Sequence, residues 1–208
     1  MENANPVAML LDPNMKLAPN PESRELNHSN DYTLLLGSLQ YLAIATCLDI
    51  AYAVNRLAAY TANLSLQHYT AAKRVLRYVK GTKNYGITYR KDATHHIGPS
   101  NSNILYGFSD AAFANANDRC SVSGYVFLAN SGAITWGSKK QTVIALSSTE
   151  AEYVALSEAS HEAMWLWYLY GELGFIQQEP ILLLGDNDGS IAMAKNPQFH
   201  KCTKHIDN

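Results

Sequence analysis

Apolar residues along this chain follow two spacing regimes. Between residues 31 and 80 they recur at helical intervals. From residue 104 onward they alternate or run together as in strands, with one long helical stretch between. The first predicted helix covers 31–46, with Leu34, Leu35, Ser38, Leu39 and Leu42 on one face and Asp31 as its N-cap. A second, shorter helix covers 49–61 with Ile50, Val54 and Leu57 inward. A third covers 65–80 with Ala72, Val75, Leu76 and Val79 inward, and stops at Gly81. Lys73, Arg74, Arg77, Lys80 and Lys83 make its other side basic, and residues 85–89 have the composition of a short strand.

Beyond residue 104 the pattern predicts strand, strand, strand, helix, strand, helix. A strand over 104–110 leads to a hairpin of 123–129 and 133–138 around Asn130-Ser131-Gly132. A long helix over 149–173 closes at Gly174. The continuous apolar run 181–184 reads as a buried strand, and a further helix begins over 190–194. The organisation expected is an extended, poorly ordered lead-in over 1–30 with Pro6, Pro13, Pro19 and Pro21, a helical segment over 31–91, a polar linker over 92–103, and an α/β domain over 104–208. The start of the lead-in reads as a cut into a longer parent chain.

Composition narrows the class. The chain has 208 residues, 47% of them hydrophobic, enough for one sizeable core or for a domain with a helical appendage. Charged residues are 16%, against a usual ~25%, and the net charge is −2. That argues against a uniformly basic surface, while leaving room for a local basic patch. The N-terminus lacks the features of a signal peptide, and no apolar run approaches the ~20 residues of a membrane span. Cys47, Cys120 and Cys202 are odd in number and far apart, which suits a reducing intracellular compartment without disulfides.

Candidate chemistry lies in three short segments: Phe108-Ser109-Asp110, Ser147-Ser148-Thr149-Glu150-Ala151-Glu152-Tyr153, and Leu184-Gly185-Asp186-Asn187. Each sets a carboxylate at a strand end or a helix start. Three such groups converging make a hard, oxygen-rich site suited to Mg²⁺, the minimum a metal-dependent nuclease needs. Each residue has a plainer reading beside this one. Asp110 can be a turn former. Ser147 and Glu150 fit a capping box, which leaves Glu152, at the head of an apolar stripe of Ala155, Leu156, Ala159, Ala163 and Leu166, as the better ligand. Thr149 and Glu152 fit the same capping pattern, so the opposite assignment stays open. Asp186 or Asp188 can cap the last helix. If Asp188 does so, Asp186 is free, in the crevice beyond the strand ends where open α/β sheets place their sites.

At these residues the chain resembles the ribonuclease H region of copia-type retrotransposon Pol polyproteins. The matching stretches are 108–114 (FSDAAFA), 118–125 (DRCSVSGY), 134–141 (ITWGSKKQ), 145–153 (ALSSTEAEY), 186–187 (DN) and 196–207 (NPQFHKCTKHID). Upstream, 41–55 (YLAIATCLDIAYAVN) and 71–86 (AAKRVLRYVKGTKNYG) resemble the tail of the reverse transcriptase of the same polyproteins. The resemblance spans residues 30–208. It implies a ribonuclease H-like mixed sheet of three antiparallel strands and one parallel strand with flanking helices. It implies that Asp110, Glu152 and Asp186 are the catalytic carboxylates. They would bridge two Mg²⁺ ions (or Mn²⁺) about 3.5–4 Å apart, with Asp110 the bridging ligand, to cleave the RNA strand of an RNA–DNA hybrid. Hybrid recognition would use phosphates and 2′-hydroxyls, with Lys139 and Lys140, and Lys73, Arg74 and Arg77 of the basic helix, as candidate contacts. The polymerase domain of the parent polyprotein is the implied protein partner, and no membrane is.

This chain departs from the family pattern in three ways. Ala112 and Phe113 stand where the family usually has a second acid and a Trp. No polymerase Asp-Asp motif lies upstream, so no polymerase activity is expected. The family's fifth strand and final helix, with a fourth carboxylate, are expected beyond His205-Ile206-Asp207, which leaves Asp207 as a substitute fourth carboxylate and implies exposed apolar surface and an unpaired sheet edge. His200, Cys202 and His205 lie close together but fit no common zinc spacing. Trp136, Trp165 and Trp167 read as packing residues.

Overall fold

A computed structural model describes residues 4–12, 17–18, 29–90, 104–114 and 119–196. The chain divides into two compact units, Met1–Gly86 and Ile87–Asn208. The expected linker over 92–103 and Asp207 lie outside the described residues, as do His200, Cys202 and His205.

Unit 1 is helical. Helix α1 spans Ser29–Ala45, a 3₁₀ turn spans Leu48–Ile50, α2 spans Ala51–Ala58 and α3 spans Leu66–Gly81. Tyr32, Leu36, Leu39, Ile50, Val54, Leu57, Ala72 and Val75 form its core. The sequence pattern chose α1's face incorrectly in part. Leu34 is exposed, and Tyr32, Leu36, Leu39 and Ala43 are the buried positions. The helix is apolar nearly all round, so spacing alone gives no unique inner face. Tyr32 settles it, because its fully buried hydroxyl donates to the Leu57 carbonyl at 2.7 Å. Asp31 lies within the first turn of α1, which starts at Ser29, and does not cap it.

The described residues of the lead-in, 4–12 and 17–18, have neither helix nor strand, and several are held against the helices. Leu17 is buried, its carbonyl accepts from the Tyr60 hydroxyl at 2.9 Å, and Leu10 and Leu11 pack on the helical core. Three cations of α3 hold its backbone: Arg74 Nε donates to the Met9 carbonyl at 3.1 Å, Arg77 Nε to Asn5 at 2.6 Å and Lys80 Nζ to Ala4 at 2.8 Å. The run Val7-Ala8-Met9-Leu10-Leu11 is apolar, and carbonyls within and before it meet a row of donors.

Unit 2 is α/β. Strand β1 spans Tyr106–Ala112, β2 Val122–Ala129, β3 Gly132–Lys140 and β4 Leu182–Leu184; helix α4 spans Ser148–Glu172 and α5 spans Asp188–Lys195. The strand order is β3-β2-β1-β4, with β1–β2 and β2–β3 antiparallel and β1–β4 parallel. This is the mixed sheet expected for a ribonuclease H-like fold. Helix α4 covers β1 and β2 with Ala159 and Leu166, burying Leu105, Phe127 and Ala129. Gly107 is what lets Phe127 lie flat across β1: a Cβ there would meet the ring at 2.5 Å. Strand β4 is more exposed than its apolar run suggests, with Leu182 open to solvent. Beside it, Met164, Trp167, Tyr168, Pro180, Ile181 and Leu183 line an apolar groove of about 420 Å³. Among the described residues β4 pairs only with β1, so its outer edge is open. No helix among them is long and apolar enough to cross a membrane.

Residues 85–89 do not form the strand their composition suggested. Tyr89 lies over the hairpin instead, with its ring where a Cβ on Gly132 would sit at 2.4 Å and its hydroxyl donating to the Ala133 carbonyl at 2.7 Å. Arg90 N–H donates to the Asn130 carbonyl at 2.8 Å. The hairpin turn itself holds Asn130 at φ 51° and Ser131 at φ 69°, the two left-handed positions of a type I′ turn. Serine is strained there, so Ser131→Gly should stabilise unit 2 by about 0.5–1 kcal/mol. All three Trp residues lie in this unit, so urea unfolding followed by Trp fluorescence reads the change directly.

In unit 1, Ser65 caps α3 and His68 answers it: His68 Nδ1 accepts from the Ser65 N–H at 3.0 Å. The ring is fully buried and stacked on Tyr60, with centroids 4.2 Å apart. Because Nδ1 accepts, the neutral ring carries its proton on Nε2, which is buried without a partner. Burial lowers the His68 pKa, so the neutral form is the folded one. Its contribution is therefore intact above about pH 6.5 and declines as pH falls toward the lowered value. Helix loss followed by circular dichroism should show unit 1 weakening over that window. His68→Gln, which keeps a capping acceptor that does not titrate, should flatten the dependence.

Candidate metal centre

Asp110, Glu152 and Asp186 meet at one end of the sheet. Each offers a carboxylate oxygen, and the three oxygens lie within 4.8 Å of one another. The parallel register accounts for two of them. Phe108 pairs with Leu184, so Asp110 and Asp186 each stand two residues beyond the same rung, on adjacent strands running the same way. The third comes from the helix that crosses this end. Ser147 caps α4 by accepting from Glu150 N–H at 3.2 Å, and Glu150 reaches back to accept from Leu146 N–H at 2.7 Å. Glu150 thus works at the helix start, while Glu152, on another face, turns toward β1. Its Oε1 accepts from Ala111 N–H at 3.1 Å. Asp188 does not cap α5. Asn187 does, through its side chain accepting from Ser190 N–H at 2.9 Å, which places Asp186 just outside the helix. Asn outranks most residues as a cap, a signal present in the sequence but assigned to its neighbour.

Glu152 is 8% exposed, while Asp110 and Asp186 are open to solvent. Loss of hydration is the largest cause pushing the Glu152 carboxyl up to about 7. The Ala111 N–H pulls the other way, and the like charges of Asp110 and Asp186 add to the rise. Among the described residues no Lys or Arg pairs with any of the three acids. An all-carboxylate donor set with no internal counter-charge fits a hard divalent cation such as Mg²⁺ or Mn²⁺.

The candidate phosphate contacts are distributed differently. Lys139 sits opposite Ser123, which sits opposite Ala111, so it stands two strand spacings, about 10 Å, from Ala111 and one rung beyond Asp110. It lies 3.6 Å from Glu158 Oε1 yet keeps 69% of its side chain exposed. Lys140 pairs with Val122 at the end of β3. Lys73, Arg74 and Arg77 belong to unit 1. There Lys73 lies over the Tyr69 ring at 3.9 Å, and Arg74 and Arg77 hold the lead-in.

Fold and site together define an α/β domain of ribonuclease H-like architecture with a three-carboxylate cluster at the sheet end. Comparison with known proteins places the chain in a family. It is 38% identical over 207 residues to a retrovirus-related Pol polyprotein from transposon RE1 of Arabidopsis thaliana, covering 99% of this chain and 13% of that polyprotein. It is 37% identical over 213 residues to the Pol polyprotein from transposon TNT 1-94 of Nicotiana tabacum, covering 100% of this chain and 15% of that protein. A secreted RxLR effector protein 161 of Plasmopara viticola is 43% identical over 136 residues, covering 65% of this chain and 90% of that protein. The chain belongs to the copia-type retrotransposon Pol family and spans a small part of its polyproteins. No family model matches it, and no solved structure does.

Glu152 carries a pH signature. Its folded pKa is raised, so its contribution is intact below the ordinary carboxyl value and is lost as pH rises through about 7. Without divalent cations, Glu152→Gln should therefore stabilise unit 2 at pH 8 by roughly 1–3 kcal/mol and change little at pH 4, as read by Trp fluorescence melts.

Proposed function

We propose that unit 2 is a ribonuclease H-like nuclease that hydrolyses the RNA strand of RNA–DNA hybrids, as a step of reverse transcription by the parent polyprotein. The observation that carries this reading is the convergence of Asp110, Glu152 and Asp186 within 4.8 Å, with no Lys or Arg paired to them among the described residues. Mg²⁺, or Mn²⁺, held by these residues would supply Lewis-acid polarisation of a phosphate oxygen and a lowered pKa for attacking water. Asp110 and Asp186, at the ends of adjacent strands, are fixed by the sheet and present their oxygens to solvent, where a phosphodiester can approach. Glu152 holds the third position from the helix, its orientation set by Ala111 N–H. Its carboxyl, pushed up to about 7 by burial and the neighbouring acids, would be drawn back to the charged form by a divalent cation beside it. Lys139, one rung beyond Asp110 on β3 and mostly exposed, would meet a backbone phosphate, a contact that adds affinity without sequence preference. Choice of the RNA strand rests on the 2′-hydroxyl.

A second reading is a polyprotein remnant that binds nucleic acid or protein without turnover. It draws on the Plasmopara viticola protein, which consists almost wholly of the matched region. Cleavage of a labelled RNA–DNA hybrid by the purified chain with Mg²⁺ separates the two. Activity should fall at least 100-fold in Asp186→Asn, in line with loss of a charge-stabilising group. Salt-sensitive hybrid binding without cleavage by the folded chain would favour the second reading.

A further inference from the structure

We propose that Gln141 is the positioning residue of the carboxylate cluster, setting Glu152 against β1; this rests on the nuclease reading for its purpose, while its geometry stands without it. Gln141 follows the last residue of β3 and is 2% exposed. Its backbone N–H donates to the Ser121 carbonyl at 2.9 Å, which fixes where the side chain starts. The side-chain Nε2 then makes two bonds at 2.9 Å, one to Ser123 Oγ on β2 and one to the Ala151 carbonyl in the first turns of α4. A carbonyl can only accept, so the amide orientation is determined: nitrogen faces Ala151.

These contacts close a ring. Ser123 pairs with Ala111 across β1 and β2; Ala111 N–H donates to Glu152 Oε1; Glu152 is bonded in sequence to Ala151; and Ala151 returns to Ser123 through Gln141. The helix is thereby pinned to the sheet one residue from its carboxylate and one rung from the strand that receives it. Hydrophobic contact alone does not supply this pin. Ala151 and Ala155 are buried in the first turns, but each offers a single methyl, a non-directional contact that sets no unique rotation of the helix; the cluster with Phe127 and Leu105 is joined at Ala159 and Leu166, two and four turns further along. Gln141 Oε1 is buried without a hydrogen-bond partner. A side chain kept for core stability alone would not need an unsatisfied acceptor, since an apolar residue of the same shape avoids that desolvation cost. The two donated bonds are what the amide contributes.

The test compares Gln141→Leu with the wild-type chain, using two readouts that do not depend on cleavage. The first is the amide proton of Ala111 in NMR spectra of the metal-free protein, whose shift and exchange report its bond to Glu152. The second is Mn²⁺ affinity by calorimetry. A Phe127→Leu variant, which loosens the same core without touching the ring, controls for general destabilisation. Gln141→Leu should speed Ala111 exchange beyond the change at other β1 amides and weaken Mn²⁺ binding about 10-fold, the usual cost of losing a group that orients a ligand. Phe127→Leu should leave both close to wild type at a matched loss of Tm. Should Gln141→Leu fail to fold, Ser123→Ala removes one arm of the pin and is expected to give the same changes at smaller size. An unchanged Ala111 amide in the folded variant, or equal changes in Phe127→Leu, would overturn the proposal. Absence of Mn²⁺ binding by the wild-type chain would defeat the nuclease reading instead, with the Ala111 amide still deciding the role of Gln141.

Discussion

Mutual repulsion among three carboxylates is the constraint that organises unit 2. Asp110, Glu152 and Asp186 bring oxygens within 4.8 Å of one another with no lysine or arginine among the described residues to offset them. Left to local forces, such groups would separate. They stay together because each is rooted in an element whose position is fixed elsewhere: two strands by parallel pairing, one helix by burial of Ala159 and Leu166 against Phe127 and Leu105. Apolar packing thus sustains an electrostatically unfavourable arrangement, a balance common at sites built to receive a cation.

Glu152 shows how that balance is distributed. Its carboxyl is desolvated and sits beside two acids; the Ala111 N–H of β1 favours its charged form, while a side-chain hydrogen bond with Asp110 favours the protonated one. Gln141 and Ser123 connect that strand's neighbour to the helix turn bearing the glutamate. Directional polar bonds thus join the sheet end to the first turns of α4, beside the buried Ala151 and Ala155.

Unit 1 uses the same physics for another end. In the lead-in, Leu10, Leu11 and Leu17 belong to the helical core, and cations of α3 hold the carbonyls of Ala4, Asn5 and Met9. In the row of positive charge on α3, Arg74 and Arg77 donate to backbone carbonyls of the lead-in. Charge patterning shows where cations lie. It does not show what they bind, because neutral carbonyls compete for a guanidinium as phosphates do.

Element order, the hairpin at Asn130-Ser131, the long helix ended by Gly174 and the identities of the three acids were legible in the sequence, because each depends on local periodicity, turn chemistry or capping within a few residues. The family resemblance added the strand directions. Several features lay beyond reach for one reason: they depend on contacts between distant residues. The inner face of α1 was chosen by Tyr32 bonding to Leu57, the anchoring of the lead-in by α3, and the failure of 85–89 to pair by the hairpin that Tyr89 covers. Between Glu150 and Glu152 the sequence left two capping assignments open, and only the packed helix decided which carboxylate reached β1. Sequence fixed which groups were available and at what spacing; tertiary structure alone brought three like charges to one point, since that requires the burial of a core no local segment contains.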